Sequence, residues 1–341
     1  MRLVRVVDRR EALAEEGLKV VAHLVASEPP SIERAIDALN DCDIVLVQHE
    51  YGLYGGRDGQ DILRVLQGVR SPIIAILHTV LRLPTHDQVT VLNAVIDHAD
   101  QVVVMTEKAA TTLRMVNELG HTPVAVIPHG AAVMSVASRR KPRVRPVLLT
   151  WGLIGPGKGI QWVIDALVHL RDIDPKPRYI IAGRTHPKVL AYEGDIYRES
   201  LEHRVAVNGV HDMVEFDNSY RDLESLNGLI ETADVVVLPY DSLDQATSGV
   251  LVDAVAAGRP VIATDFPHAQ ELLSSGAGLI VGHGDATALA RAIRRVLTET
   301  PLASSMSKEA RRIAPSLSWD AVADQYHMLS NDLLGQVAVG A

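Results

Sequence analysis

One cysteine, Cys42, stands in a chain of 341 residues. A single thiol excludes an intramolecular disulfide and any cysteine-rich zinc or iron–sulfur site. That suits a cytoplasmic protein without oxidative staples. Aromatic residues make up only 4%, with two phenylalanines, so Val, Ala, Leu and Ile must fill the interior. Such a composition favours parallel strands buried between helices. No run approaches the roughly 18 consecutive apolar residues needed to cross a bilayer. The N-terminal MRLVRVVDRREALAEE has too short an apolar core for a secretory signal. Positive charge is also in deficit. With 33 Lys and Arg against 42 Asp and Glu, the net charge is −9, which argues against nucleic acid as a partner.

What is present suffices for two cores. Hydrophobic residues reach 47%, and the length predicts two domains at about 100–200 residues each. Short β-branched runs alternate with amphipathic stretches. In the first half the strand-like runs are 3–7, 19–24, 43–49, 72–78, 101–105 and 124–128. Helical patterns fill 31–40, 59–69, 87–99 and 107–119, the first opening with Ser31 as N-cap. The basic, proline-containing SRRKPRVRP (138–146) has no apolar period and reads as an interdomain linker rather than a nucleic-acid patch. The rhythm then restarts with strands at 146–152, 177–183, 213–216, 234–240, 260–264 and 278–282. Helices are expected at 158–171, 195–207, 221–231, 248–257, 285–298, 303–314 and 318–334. The alternation predicts right-handed βαβ units, hence α/β architecture with two doubly wound domains facing a cleft.

Ligands in such folds bind at the carboxyl ends of the strands, so the turns there carry the candidate chemistry. DIVLVQH runs into His49, Glu50 and Tyr51; PIIAILH ends at His78; VAVIP runs into His129. In the second half PVLLTWG enters GLIGPGKG (152–159), which holds Gly155 and Lys158. PRYIIAG ends at Gly183 and Arg184, and DVVVLPY enters DSLDQATSG (241–249). The glycines of GLIGPGKG let backbone N–H groups approach an anion, and Lys158 adds a point charge at a helix start. The spacing is not that of a Walker A loop, and an ordinary tight βα turn explains the glycines equally well. Thr247 or Ser248 is placed to cap the next helix and leave free N–H groups suited to a diphosphate. Asp253, further along that helix, is either a holder of ribose hydroxyls or an ordinary surface acid. His78, His129 and His268 near strand ends read first as packed residues. Asp41-Cys42-Asp43 spells a metal–diphosphate signature but precedes its strand, so it stands at the wrong end of the sheet. No metal site is expected.

GLIGPGKGIQWVIDAL, IIAGRTHP, ADVVVLPY, QATSGVLVDAVAAGRPVIAT and HAQELL occur in that order. With QHEYGLYGG, LHTVLRLPTHDQ, VVVMTEKA and VIPHG before them, the chain resembles the family 4 retaining glycosyltransferases with the GT-B fold over about residues 40 to 330. The resemblance implies two Rossmann-like domains: an acceptor-side domain over 1–140 and a donor-binding domain over 141–317. A C-terminal helix over 318–341 would pack back on the first. The implied reaction moves a hexosyl group from a nucleoside diphosphate sugar to a hydroxyl acceptor, a glycan, lipid or small molecule, without a cofactor. Localisation is expected to be cytoplasmic, with at most peripheral contact at the inner membrane face. By position, His78 and Gln245 would stand beside the reacting sugar. Gly155, Lys158, Gly183, Arg184, Thr247, Ser248, Gly249 and Asp253 would hold the donor, with Ser248 and Gly249 offering backbone N–H groups to the phosphates. His49, Glu50, Tyr51 and His129 would face the acceptor.

Three departures from the family pattern are visible. Its paired glutamates read Gln245 and Asp253, and the arginine that accompanies its lysine is Leu153. Its opening strand, glycine-rich loop and helix have no counterpart, so the chain is expected to begin at the next strand. These departures favour an alternative, a non-catalytic sugar-nucleotide-binding or interaction module of the same fold. A GT-B epimerase would want paired carboxylates or histidines around the sugar, and none is convincing. NAD chemistry lacks its G-x-G-x-x-G after a strand. If Arg184 supplies the cation missing at Leu153, Arg184→Ala is expected to weaken donor binding about tenfold or more, since a charge-assisted contact is worth roughly 1.5–3 kcal/mol. Calorimetric titration with a nucleoside diphosphate measures this, and unchanged affinity assigns Arg184 no such role.

Overall fold

A computed structural model describes residues 1–7, 19–25, 28–133 and 144–340. The chain divides into two compact units, Met1–Pro128 with Ala323–Ala341, and His129–Val322. The boundary expected at 140/141, and residues 138–143 of the expected linker, lie outside the described residues.

The first unit runs β1 (Leu3–Val7), β2 (Val20–Val25), α1 (Pro29–Asn40), β3 (Val45–His49), α2 (Ile62–Leu66), β4 (Ile73–Leu77), α3 (His86–Asp97), β5 (Gln101–Val104), α4 (Glu107–Val116) and β6 (Val124–Val126). β1 and β2 pair in parallel as a small sheet, and β3-β4-β5-β6 form a second, also parallel. Every residue of β4 and β5 is buried, as expected of strands covered on both faces. β3 instead alternates, turning Leu46 and Gln48 outward.

Two local expectations are corrected here. Ser31 does not cap α1. Glu28 stands at the N-cap, and the helix starts at Pro29, whose missing N–H costs nothing in the first turn. Ser31 is fully buried, and its Oγ ties the end of β2 to the helix. It accepts from the Val25 N–H at 3.0 Å, while the Glu28 carbonyl lies 2.8 Å away as acceptor. The helix expected over 59–69 shrinks to a 3₁₀ turn at Arg57–Gly59 and the five residues of α2. Gly56 and Gly59, both at positive φ, break it at its amino end.

The second unit runs β7 (Val147–Trp151), α5 (Ile160–Leu167), β8 (Arg178–Ala182), α6 (Pro187–Glu193), α7 (Ile196–Asn208), β9 (Val214–Asp217), α8 (Leu223–Thr232), β10 (Val235–Leu238), α9 (Gly249–Ala256), β11 (Val261–Thr264), α10 (Pro267–Leu272), β12 (Gly278–Val281), α11 (Ala286–Thr298) and α12 (Thr300–Ile313). α13 (Trp319–Gly340) begins here and continues into the first unit. All pairings are parallel, in the order β12-β11-β10-β7-β8-β9. The order reverses between β7 and β10, the switch point of a doubly wound sheet. Alternate residues feed two cores. Leu149, Trp151, Ile180, Val236 and Leu238 pack with α8, α9 and Phe266. Leu148, Tyr179, Ile181, Val235 and Val237 pack with α5, α7 and α11. α6 and α10 were not expected; each is short and opens on a proline at a first-turn position, and periodicity is weak over so few residues.

Ser31→Val is expected to lower stability by about 1–3 kcal/mol, because the buried Val25 N–H loses its acceptor. Urea denaturation of the full chain reads this out. An unchanged midpoint would mean that the hydroxyl carries no load.

Candidate functional site

The second unit gathers its candidate residues at the carboxyl ends of β7, β8 and β10. The turn after β7 passes hard against the end of β10. Gly159 has φ +64, and a Cβ there would stand 1.7 Å from the Pro239 carbonyl oxygen. Gly183, at φ +135, is equally constrained, with a Cβ 1.9 Å from the Gly152 carbonyl oxygen. The two turns are also laced together. The Ile154 N–H donates to the Arg184 carbonyl at 2.8 Å, and the His186 N–H donates to the Ile154 carbonyl at 2.8 Å. Gly155 is buried in this lacing. Arg184 is exposed and lies over the Tyr220 ring at 5.7 Å. Leu153 is an exposed apolar residue.

Lys158 is half-buried, with Nζ 4.6 Å from the centre of the Tyr240 ring. Tyr240 in turn stacks on Phe266 at 5.2 Å. Its carbonyl accepts from the Thr264 hydroxyl at 2.6 Å and from His283 Nδ1 at 2.8 Å. Burial lowers the Lys158 pKa, because removing water penalises the ammonium. No carboxylate pairs with it among the described residues. A cation in that position gains strongly from an anion.

α9 begins beside Tyr240, whose side chain hydrogen-bonds Ser248. Ser248 is the N-cap, its Oγ accepting from the Leu251 N–H at 3.3 Å. Its own N–H, expected to face a phosphate, donates instead to His268 Nδ1 at 2.8 Å. Ser248 is 5% exposed and His268 equally so. That expectation is corrected. The loop before it is tied down as well. The Gln245 side-chain amide donates to the Thr247 carbonyl, and the Gln245 carbonyl accepts from the His268 N–H at 3.3 Å. His268 therefore holds the cap in place from α10, an element that periodicity did not reveal.

His129 is the first residue of the second unit. A Cβ on Gly249 would meet its Cε1 at 3.2 Å. Its Nδ1 donates to the Gly130 carbonyl at 2.7 Å, and its ring tilts against Trp319 at 5.5 Å. Asp253 is half-buried one turn along α9 from Gly249. Burial raises its pKa and His129 pulls the other way.

In the first unit, the ends of β3 and β4 bring four expected residues together. His78 Nε2 lies 2.6 Å from the Gln48 side-chain oxygen, and the His78 N–H donates to the His49 carbonyl at 3.0 Å. The Thr79 hydroxyl donates to Glu50 at 2.7 Å, and Tyr51 sits edge-on to His49 at 5.3 Å. His49 is fully buried with both ring nitrogens unpartnered. Burial, then the charge of His78, pushes its pKa down to about 4. Gln48 faces out of an edge strand, and its contact with His78 depends on strand register, which the sequence does not display. Among the described residues no cluster of His, Cys, Asp and Glu is arranged to hold a metal, and no helix is long and apolar enough to cross a membrane.

Residues 145–299 match the model for glycosyl transferases group 1. That match covers 155 of the 341 residues, all in the second unit. A D-inositol 3-phosphate glycosyltransferase of Corynebacterium jeikeium (strain K411) is 26% identical over 254 residues, 70% of this chain and 59% of its own length. The alpha-D-kanosaminyltransferase of Streptomyces kanamyceticus is 26% identical over 183 residues, 53% of this chain and 44% of its own. The chain thus spans about half the length of these relatives. Among solved structures, Anabaena Alr3699/HepE in complex with UDP superposes with a TM-score of 0.73 at 18% identity, over 91% of this chain and 86% of that one. Sucrose-phosphate synthase from Thermosynechococcus elongatus gives 0.74 at 21% identity, over 92% and 84%. At such identities the likeness shows the fold, and the chain has the GT-B fold.

His49 and His268 are each held near pKa 4 by burial, below the ordinary 6.5. The unfolded chain therefore binds the extra protons. Stability from these two groups is full above about pH 6.5 and is lost as pH falls toward 4, by about 1.4 kcal/mol per pH unit for each. Denaturation midpoints measured between pH 7 and 4 are expected to fall accordingly, and His268→Gln is expected to flatten the slope.

Proposed function

We propose that this chain transfers a hexosyl group from a nucleoside diphosphate sugar to a hydroxyl acceptor, with retention of anomeric configuration. The observation that carries the reading is Lys158, half-buried over the Tyr240 ring at the switch point of the sheet, without a carboxylate partner among the described residues. The UDP bound to the Anabaena neighbour and the glycosyltransferase names of the curated relatives support it.

In this reading the Lys158 ammonium and the Gly249 N–H take up negative charge as the bond from the anomeric carbon to the diphosphate breaks. Asp253 accepts hydrogen bonds from the ribose hydroxyls. Arg184, Gly155, Gly183 and Thr247 line the diphosphate and nucleoside. The acceptor hydroxyl forms the new bond from the same face, and its proton passes to the leaving phosphate. No protein nucleophile, metal or cofactor is required. Gln245 and His78 position the sugar, while His49, Glu50 and Tyr51 face the acceptor, a glycan, lipid or small molecule. The protein is assigned to the cytoplasm, with peripheral membrane contact as its closest approach to lipid.

One observation favours a second reading, a non-catalytic nucleotide-sugar-binding module. Gln245, where the family resemblance has a glutamate, spends its amide on the Thr247 carbonyl. Thermal denaturation with UDP, GDP, ADP and their common sugars separates the readings. The matching nucleotide at 100 times its Kd is expected to add about 2.7 kcal/mol of stability, and Lys158→Ala is expected to remove most of that gain. No response to any nucleotide overturns both readings. Binding with neither transfer nor hydrolysis, followed by chromatography of the released nucleotide, selects the second.

A further inference from the structure

A cavity of about 650 Å³ opens on the opposite side of the second unit from the residues discussed so far. Pro146, Asp234 and Pro260 line it, and they immediately precede β7, β10 and β11. It therefore sits at the amino ends of the strands, whereas Lys158 and Gly249 follow the carboxyl ends of β7 and β10. Its size is that of a small-molecule site.

The lining is basic in a chain of net charge −9. Arg145, Arg259 and Arg311 contribute three guanidiniums, and Asp234 the one carboxylate. That carboxylate is engaged, since it accepts the Val147 N–H at 2.8 Å. Arg145 is held by backbone: Nε donates to the Lys176 carbonyl at 2.8 Å, and Nη2 to the carbonyls of Asp212 at 2.7 Å and Pro177 at 3.2 Å. Arg259 Nε donates to the Ala257 carbonyl at 3.0 Å. Arg311 lies over Gly258, where a Cβ would meet its Cγ at 2.8 Å, so the glycine makes room for its stem. α12 completes the wall. Thr300, Ser304, Ser307 and Arg311 recur at spacings of three and four, which places them on one helical face, and all four line the cavity. Val296 and Leu297 add an apolar strip.

Fixed guanidiniums, neighbouring hydroxyls and a short apolar wall match a phosphate group on a small carbon skeleton. We infer that this cavity binds a small phosphorylated molecule, at a site separate from the one proposed for the nucleoside diphosphate sugar. The inference does not rest on the proposed transferase reaction.

The probe is glycerol 3-phosphate, titrated calorimetrically into the full chain at low ionic strength. Saturable binding is expected, weakening at least tenfold in Arg311→Glu and in Ser307→Asp, which place a carboxylate in the cavity, and persisting in Lys158→Ala. Both cavity residues are on the surface of α12, and unchanged circular dichroism and melting temperature confirm that the variants fold. Absence of saturable binding overturns the inference. So does an affinity that is unchanged in both cavity variants, or one abolished by Lys158→Ala alone. A nucleotide-induced thermal shift that survives Arg311→Glu keeps the two sites distinct.

Discussion

Gly159 has no room for a side chain. A Cβ at that position would stand 1.7 Å from the Pro239 carbonyl oxygen, and its φ of +64 is one that L-residues rarely adopt. This contact seats the turn after β7 against the end of β10, across the point where the strand order reverses. Lys158 is the preceding residue, so the same contact sets where its ammonium goes. Tyr240 follows Pro239, so the ring beneath that ammonium is set by the same few atoms. Gly183 against Gly152 repeats the device one strand over and binds the Arg184 turn to its neighbour. Two glycines thus position the polar groups of three strand ends.

The start of α9 shows a second kind of constraint. An N-terminal helix turn leaves several N–H groups without intrahelical partners. Here they are divided. Ser248 Oγ takes the Leu251 N–H, and His268 takes that of Ser248 itself. A neutral His268 is needed to accept, and its burial keeps it neutral. Gly249, without a side chain, lets the His129 ring approach, and the charge of His129 acts on Asp253. The stability of the cap therefore depends on His268, twenty positions further along the chain.

Much of the fold was legible beforehand. β4, β5, β7, β10 and β11 are runs of Val, Ile, Leu and Ala with scarcely a polar interruption, and burial on both faces is what such runs require. The turns carrying Lys158, Arg184 and Ser248 announced themselves as glycine-rich or capping segments after such runs. α6 and α10 escaped, being too short for a period of 3.6 residues to show. Ser31 was misread because a serine before an apolar stretch resembles a cap, whereas the proline at position 29 had already started the helix.

The sequence by itself determined the alternation of strands and helices, the parallel sense of the sheets and the strand ends where polar groups collect. Those features follow from local periodicity and from the backbone preferences of Gly, Pro and Ser. Only the tertiary structure decided that the Ser248 N–H is spent on His268, that His129 lies against Gly249, and that Arg145, Arg259 and Arg311 share one cavity. These are contacts between residues distant along the chain. Which donor meets which acceptor depends on strand order and helix placement, and neither leaves a periodic signal in the segments concerned.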